Sequence, residues 1–160
     1  MNNKNKMNKI VYILLVLFIY NTNGIAQNKK SIDLNWQTDF AKAKKLASSE
    51  NKGILIYFTG HDRTDSCQML NEDFFYTEKF QNIAKNHLIL VRVNSDLRNS
   101  AVSNDQKKKN TALSKQFNQS VHPTVVLTDA NGKLIGKIES YNYLRDTSKH
   151  YALLDRAIEN

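Results

Sequence analysis

The chain has 160 residues, 41% of them hydrophobic and 24% charged, and 23 basic against 15 acidic side chains give a net charge of +8. Length and apolar content fit a single globular domain. One cysteine excludes an internal disulfide and a cysteine-rich zinc site, and one proline with five glycines excludes collagen-like and most low-complexity chains.

Residues 1–26 have the layout of a secretory signal peptide. Lys4, Lys6 and Lys9 precede the apolar run Ile10 to Tyr20, and small residues Gly24 and Ala26 close the segment. The run has 11 residues, whereas a spanning helix needs ~20, so no permanent membrane anchor is expected. No cysteine directly follows it, which argues against a lipid anchor. The expected mature domain is therefore 27–160, exported to the periplasm or the extracellular space. Loss of the three lysines lowers the net charge from +8 to +5. Export and the scatter of the remaining lysines argue against nucleic acid as a partner. The tightest cluster, Lys107 to Lys109, reads as a solvated loop within the polar stretch Asn94 to Asn110.

In chain order, Thr38 to Ser49 reads as a helix, with Thr38 as cap and Phe40, Ala43 and Leu46 at helical spacing. Gly53 to Thr59 is a continuous apolar run expected of a strand covered on both faces. Gly60 to Asp65 breaks it with a polar loop. From Ser66, the residues Met69, Leu70, Phe74 and Phe75 mark a helix, and Thr77 caps another through Asn86. His87 to Val93 is a second buried strand. A short helix is expected around Ala112 to Phe117, and a third strand over Pro123 to Thr128. Asp129 to Gly132 forms a hairpin turn into a returning strand, Lys133 to Ser140. Tyr151 to Ile158 closes the chain with a helix. Buried strands separated by helices predict an α/β domain with a central mixed sheet flanked by helices.

This order resembles the thioredoxin fold, and the residues resemble the exported thioredoxin-related proteins of bacteria. Trp36, Phe58-Thr59-Gly60-His61-Asp62, Cys67, Val121-His122-Pro123-Thr124 and Gly132-Lys133 match that pattern over nearly all of Ser31 to Asn160. Where the family carries Trp-Cys-X-X-Cys, this chain reads Arg63-Thr64-Asp65-Ser66-Cys67. The resemblance thus places Thr64 at the nucleophilic cysteine and Cys67 at the resolving one. It places Tyr57 where many thioredoxins keep a buried acid, and it implies a cis bond at Pro123.

Dithiol exchange needs one thiol to attack and a second to resolve the mixed disulfide. A threonine hydroxyl does neither, so ordinary thioredoxin turnover within this chain is excluded. Two readings of Cys67 stay open, a buried inert remnant or a thiol activated near a helix start with Arg63 beside it. Thr64-X-X-Cys67 also echoes the Pro-X-X-X-Thr-X-X-Cys of peroxiredoxins, with Gly60 at the proline position. The edge beside Pro123 is where thioredoxins hold extended peptides by main-chain hydrogen bonds.

The leading reading is a protein that binds an extended peptide or protein partner, possibly a thiol protein, through Thr64, His122 and Pro123. The rival is a one-cysteine thiol–disulfide oxidoreductase with Cys67 as its catalytic residue. His61, Asp62 and His122 are too scattered to establish a metal site. No cofactor is expected.

Overall fold

The computed structural model describes residues 34–60, 64–95 and 101–158. The expected signal segment 1–26, the expected domain start at Gln27, and His61, Asp62 and Arg63 lie outside the described residues. In chain order the elements are β1 (Trp36–Gln37), α1 (Phe40–Glu50), β2 (Gly53–Thr59), α2 (Asp65–Leu70) and a π-helical turn (Asn71–Phe75). They continue with α3 (Glu78–His87), β3 (Leu88–Asn94), α4 (Asn104–Gln116), β4 (Thr124–Thr128), β5 (Leu134–Glu139) and α5 (Ser148–Ile158).

The five strands form one sheet in the order β1-β3-β2-β4-β5. β3 runs parallel to β1 and β2, while β4 is antiparallel to β2 and β5 to β4. The fold is therefore the expected mixed α/β sheet flanked by helices. Side chains alternate across a strand with period two, and β2 divides its residues accordingly. Leu55 and Tyr57 enter one core with Leu70, Phe74, Phe75, Phe80 and Leu154. Ile54, Ile56 and Phe58 enter the other with Ala43, Ala47, Leu113 and Phe117. Helices α2, α3 and α5 thus supply one face, and α1 and α4 the other.

Several sequence expectations need correction. Asp39, not Thr38, caps α1, accepting from the Ala41 and Lys42 amides at 2.9 and 3.1 Å. The Thr38 carbonyl instead accepts from Gln106 Nε2 at 2.9 Å. The stretch Asn94 to Asn110 does not remain a loop: α4 begins at Asn104 and carries Lys107 to Lys109. The inner face of its first half is held by amides, with apolar Leu113 entering the core beyond them. Buried Asn110 donates to the Asn94 carbonyl and accepts from Gln106, both at 2.8 Å. A periodicity count of apolar residues is blind to that contact. Thr77 caps α3 as expected, accepting from the Phe80 amide at 3.2 Å.

His150, on α5, is 3% exposed between Phe74 and Tyr141. Neither ring nitrogen has a hydrogen-bond partner among the described residues. Burial pushes this imidazole down to about 4, against ~6.5 in an unfolded chain. Between those values the unfolded chain takes up a proton that the folded one refuses. Stability is therefore full above pH ~6.5 and falls as pH drops through that window. Urea melts should lose up to about 1.4 kcal/mol per pH unit there, and His150→Phe should remove most of the slope. A wild-type stability that stays level from pH 6.5 to 4 would refute it.

Candidate functional site

The site lies where β2 ends and β4 begins. Because β2 and β4 are antiparallel with Phe58 opposite Thr124, the end of β2 at Gly60 falls beside the start of β4 at Pro123. The rings confirm the approach: a Cβ on Gly60 would lie 3.4 Å from Cγ of His122. The glycine leaves room for the imidazole to rest on the strand end. Burial lowers the His122 pKa below the ordinary imidazole value, which keeps the ring neutral at neutral pH. Its Nε2 is buried without a hydrogen-bond partner among the described residues.

The turn before β4 is braced on both sides of His122. The Val121 carbonyl accepts from Thr124 Oγ1 at 2.7 Å and from Gln119 Nε2 at 2.6 Å. The Pro123 carbonyl accepts from the Ser140 amide at 2.8 Å. The His122–Pro123 bond is cis, and Pro123 is buried. Among the described residues, the backbone N–H and C=O of His122 itself join no hydrogen bond.

Thr64 and Cys67 differ sharply although both sit at the start of α2. Thr64 is the N-cap and is exposed; its side chain makes no capping bond. Its carbonyl accepts from the Cys67 and Gln68 amides at 3.0 and 3.1 Å. Cys67 points inward and is 1% exposed. Helical spacing explains the contrast, since Cys67 shares the core-facing stripe of α2 with Leu70 three residues on, both being buried. Tyr57 lies below, 1% exposed, its ring 4.5 Å from Phe75 and 5.9 Å from Trp36. Its hydroxyl reaches toward the Cys67 carbonyl at 3.5 Å, too long for a strong bond. An aromatic ring and a buried thiol therefore occupy the space beneath the loop.

The structure places Thr64 and Cys67 at the start of α2, and His122 and Pro123 before β4 against the end of β2. His61 and Asp62 lie outside the described residues. Among the described residues no cluster of three His, Cys, Asp or Glu side chains is placed to hold a metal. The sequence reading missed the segment Ser140–Arg145, which follows β5. Ser140 binds the Pro123 carbonyl, and the Tyr143 hydroxyl donates to Asp65 Oδ2 at 3.3 Å, next to Thr64. No local motif signals this segment, because its bonds to Asp65, Asp73 and Pro123 join residues far apart in sequence.

Residues 40–152 match the family model described as a thioredoxin-like domain. The disulfide bond reductase DsbH of Chlamydia pneumoniae is 27% identical over 106 residues, 66% of this chain. That match spans 63% of the relative, so the chain covers less than two thirds of its length. A solved structure of a DsbH oxidoreductase aligns with TM-score 0.65 and 25% identity, covering 78% of this chain and 86% of that one. A thioredoxin from Thermus thermophilus aligns with TM-score 0.60 over 79% of this chain and 88% of its own. At 13% identity the second likeness concerns the fold alone.

Burial of Cys67 sets its reagent kinetics. A thiol with 1% exposure reacts only when its surroundings open, at a rate scaled by the opening equilibrium. Labelling by a bulky aromatic disulfide should be ~100-fold or more slower in native buffer than in denaturant. Equal rates in the two would show an open thiol and overturn the geometry described.

Proposed function

Because the chain belongs to the thioredoxin-like family, we propose that it is an exported member that has exchanged dithiol turnover for binding. Its partner is an extended peptide or protein segment lying over Thr64 and the His122–Pro123 edge. The observation that carries this reading is that the backbone N–H and C=O of His122 join no hydrogen bond among the described residues, in a segment braced on both sides. Main-chain pairing at such an edge adds a strand whose hydrogen bonds do not depend on a thiol. His122 and Thr64 line the contact, Pro123 shapes its floor, and Cys67 packs beneath. Residues 1–26 act as the export signal of the domain 27–160. No described helix is long and apolar enough to cross a membrane.

A second reading is favoured by the likeness to a disulfide bond reductase. In it Cys67 attacks a partner's disulfide as a thiolate, forming a mixed disulfide and releasing one partner thiolate. An external thiol then displaces Cys67 and takes its place on the partner. This route requires the buried Cys67 side chain to reach the surface, whereas the binding reading requires no movement.

Two experiments separate these readings. Amide spectra of the full chain, titrated with a reduced and alkylated unfolded protein, should shift at Val121 to Thr124 and at Thr64. The shifts should persist in Cys67→Ala; their absence at His122 and Thr124 would remove the binding reading. Thr64→Cys should restore the dithiol and raise disulfide reduction roughly tenfold or more above the wild-type background. Strong reduction by wild type that is lost in Cys67→Ala would favour the one-cysteine route instead.

A further inference from the structure

The charge of the domain is divided unevenly between its two helical layers. Helices α1 and α4 bury Ala43, Ala47 and Leu113 in one core, and together carry seven lysines against two acids, a net of +5. The opposite layer, made of α2, the π-helical turn, α3 and α5, carries four basic and five acidic residues. Folding therefore gathers lysines that look scattered along the chain onto one side of the sheet. The two helices are tied side by side. Lys109 reaches Asp39 at 3.3 Å, Gln106 donates to the Thr38 carbonyl, and the Phe40 and Phe117 rings lie 5.9 Å apart.

Helical spacing decides which of these lysines point away from the sheet. At ~100° per residue, Lys45 stands about halfway round α1 from the buried pair Ala43 and Ala47. Lys108 and Lys115 stand likewise on the far side of α4 from buried Asn110 and Leu113. All three are exposed, and among the described residues none of them joins an ion pair. Lys109, by contrast, is already matched by Asp39 and Asp105. The positive charge is thus uncompensated at the outermost points of this layer.

A partner that fits this face is anionic, broad and recognised by charge alone. Among the described residues, the only large apolar side chain that α1 and α4 leave exposed is Leu46, and no aromatic stands out. Protein interfaces draw on an apolar, aromatic-rich centre, and single-stranded nucleic acid on aromatic stacking. This face offers neither. An anionic lipid surface needs only several cations held within a Debye length of it, ~8 Å at physiological salt. We infer that the α1–α4 face adsorbs reversibly to an anionic lipid surface through Lys45, Lys108 and Lys115. The face is separate from α2, which carries Thr64 and Cys67 and packs in the opposite layer, and the inference stands independently of the docking reading.

The test is a lysine-acetylation footprint of the full chain, read by mass spectrometry, on vesicles of equal phosphatidylglycerol and phosphatidylcholine. Acetylation of Lys45, Lys108 and Lys115 should slow about fivefold or more relative to pure phosphatidylcholine vesicles, while Lys85 and Lys149 keep their rates. Raising the salt to ~0.5 M should abolish the protection. The excess affinity for anionic over neutral vesicles should fall roughly 100-fold in Lys45→Gln/Lys108→Gln/Lys115→Gln. Lys85→Gln/Lys149→Gln/Arg156→Gln removes the same charge from the other layer and should keep that excess within about twofold. Equal losses in the two variants, or protection spread over both layers, would overturn the face. Protection confined to Lys4, Lys6 and Lys9 would overturn it as well. Protection by polyglutamate or duplex DNA but not by vesicles would replace lipid with an acidic macromolecule and overturn the assignment.

Discussion

The structure depends on β2 being covered on both faces. Its seven residues run from Gly53 to Thr59, with neighbours on either side in the sheet, and Ile54 through Thr59 are buried. Alternation then commits Leu55 and Tyr57 to one core and Ile54, Ile56 and Phe58 to the other. A shift of one residue would exchange the two sets and break both cores. This fixed register places Gly60 beside His122, and so determines where the loop after β2 meets the start of β4. The site is a consequence of strand register before it is a matter of side-chain chemistry.

Within that frame the chemistry divides between Thr64 and Cys67. The exposed position holds a hydroxyl and the buried one a thiol. A nucleophile must be accessible and ionisable, and here the two properties fall on different residues. The backbone N–H and C=O of His122 join no hydrogen bond among the described residues, between two carbonyls already occupied by Thr124, Gln119 and Ser140. Tyr57 packs against Trp36 and Phe75 in an apolar layer under the loop.

Strong local signals made much of this legible in the sequence. β2 coincides with its apolar run, β3 and β4 lie within a residue of theirs, and the Thr77 cap is where a hydroxyl precedes an amphipathic stretch. The two-residue β1 is too short for any period to register. The first half of α4, ahead of the helix expected around Ala112 to Phe117, escaped because its inward contacts are amide, with Asn110 bonded to Asn94 and Gln106. At α1, adjacent Thr38 and Asp39 are both competent caps, and the choice followed from Gln106 claiming the Thr38 carbonyl. Cys67, Thr64, His122 and Pro123 were readable through motif order. The Asp73–Tyr141–Arg145 clamp was not, since residues about seventy apart carry no shared signature until the chain folds.

The π-helical turn at Asn71–Phe75 works as a phase shifter in the helical run. One extra residue inside a helix rotates everything upstream by ~100° relative to everything downstream. Here the offset lets Phe74 and Phe75 both enter the core while Cys67 and Leu70 remain on the buried stripe of α2. It also turns Asp73 outward to meet Arg145. Residue number across this turn is consequently a constrained quantity in its own right. A chain shortened by one position there would have α2 rotated by ~100° relative to the elements downstream, and Cys67 and Phe74 would no longer both face the core.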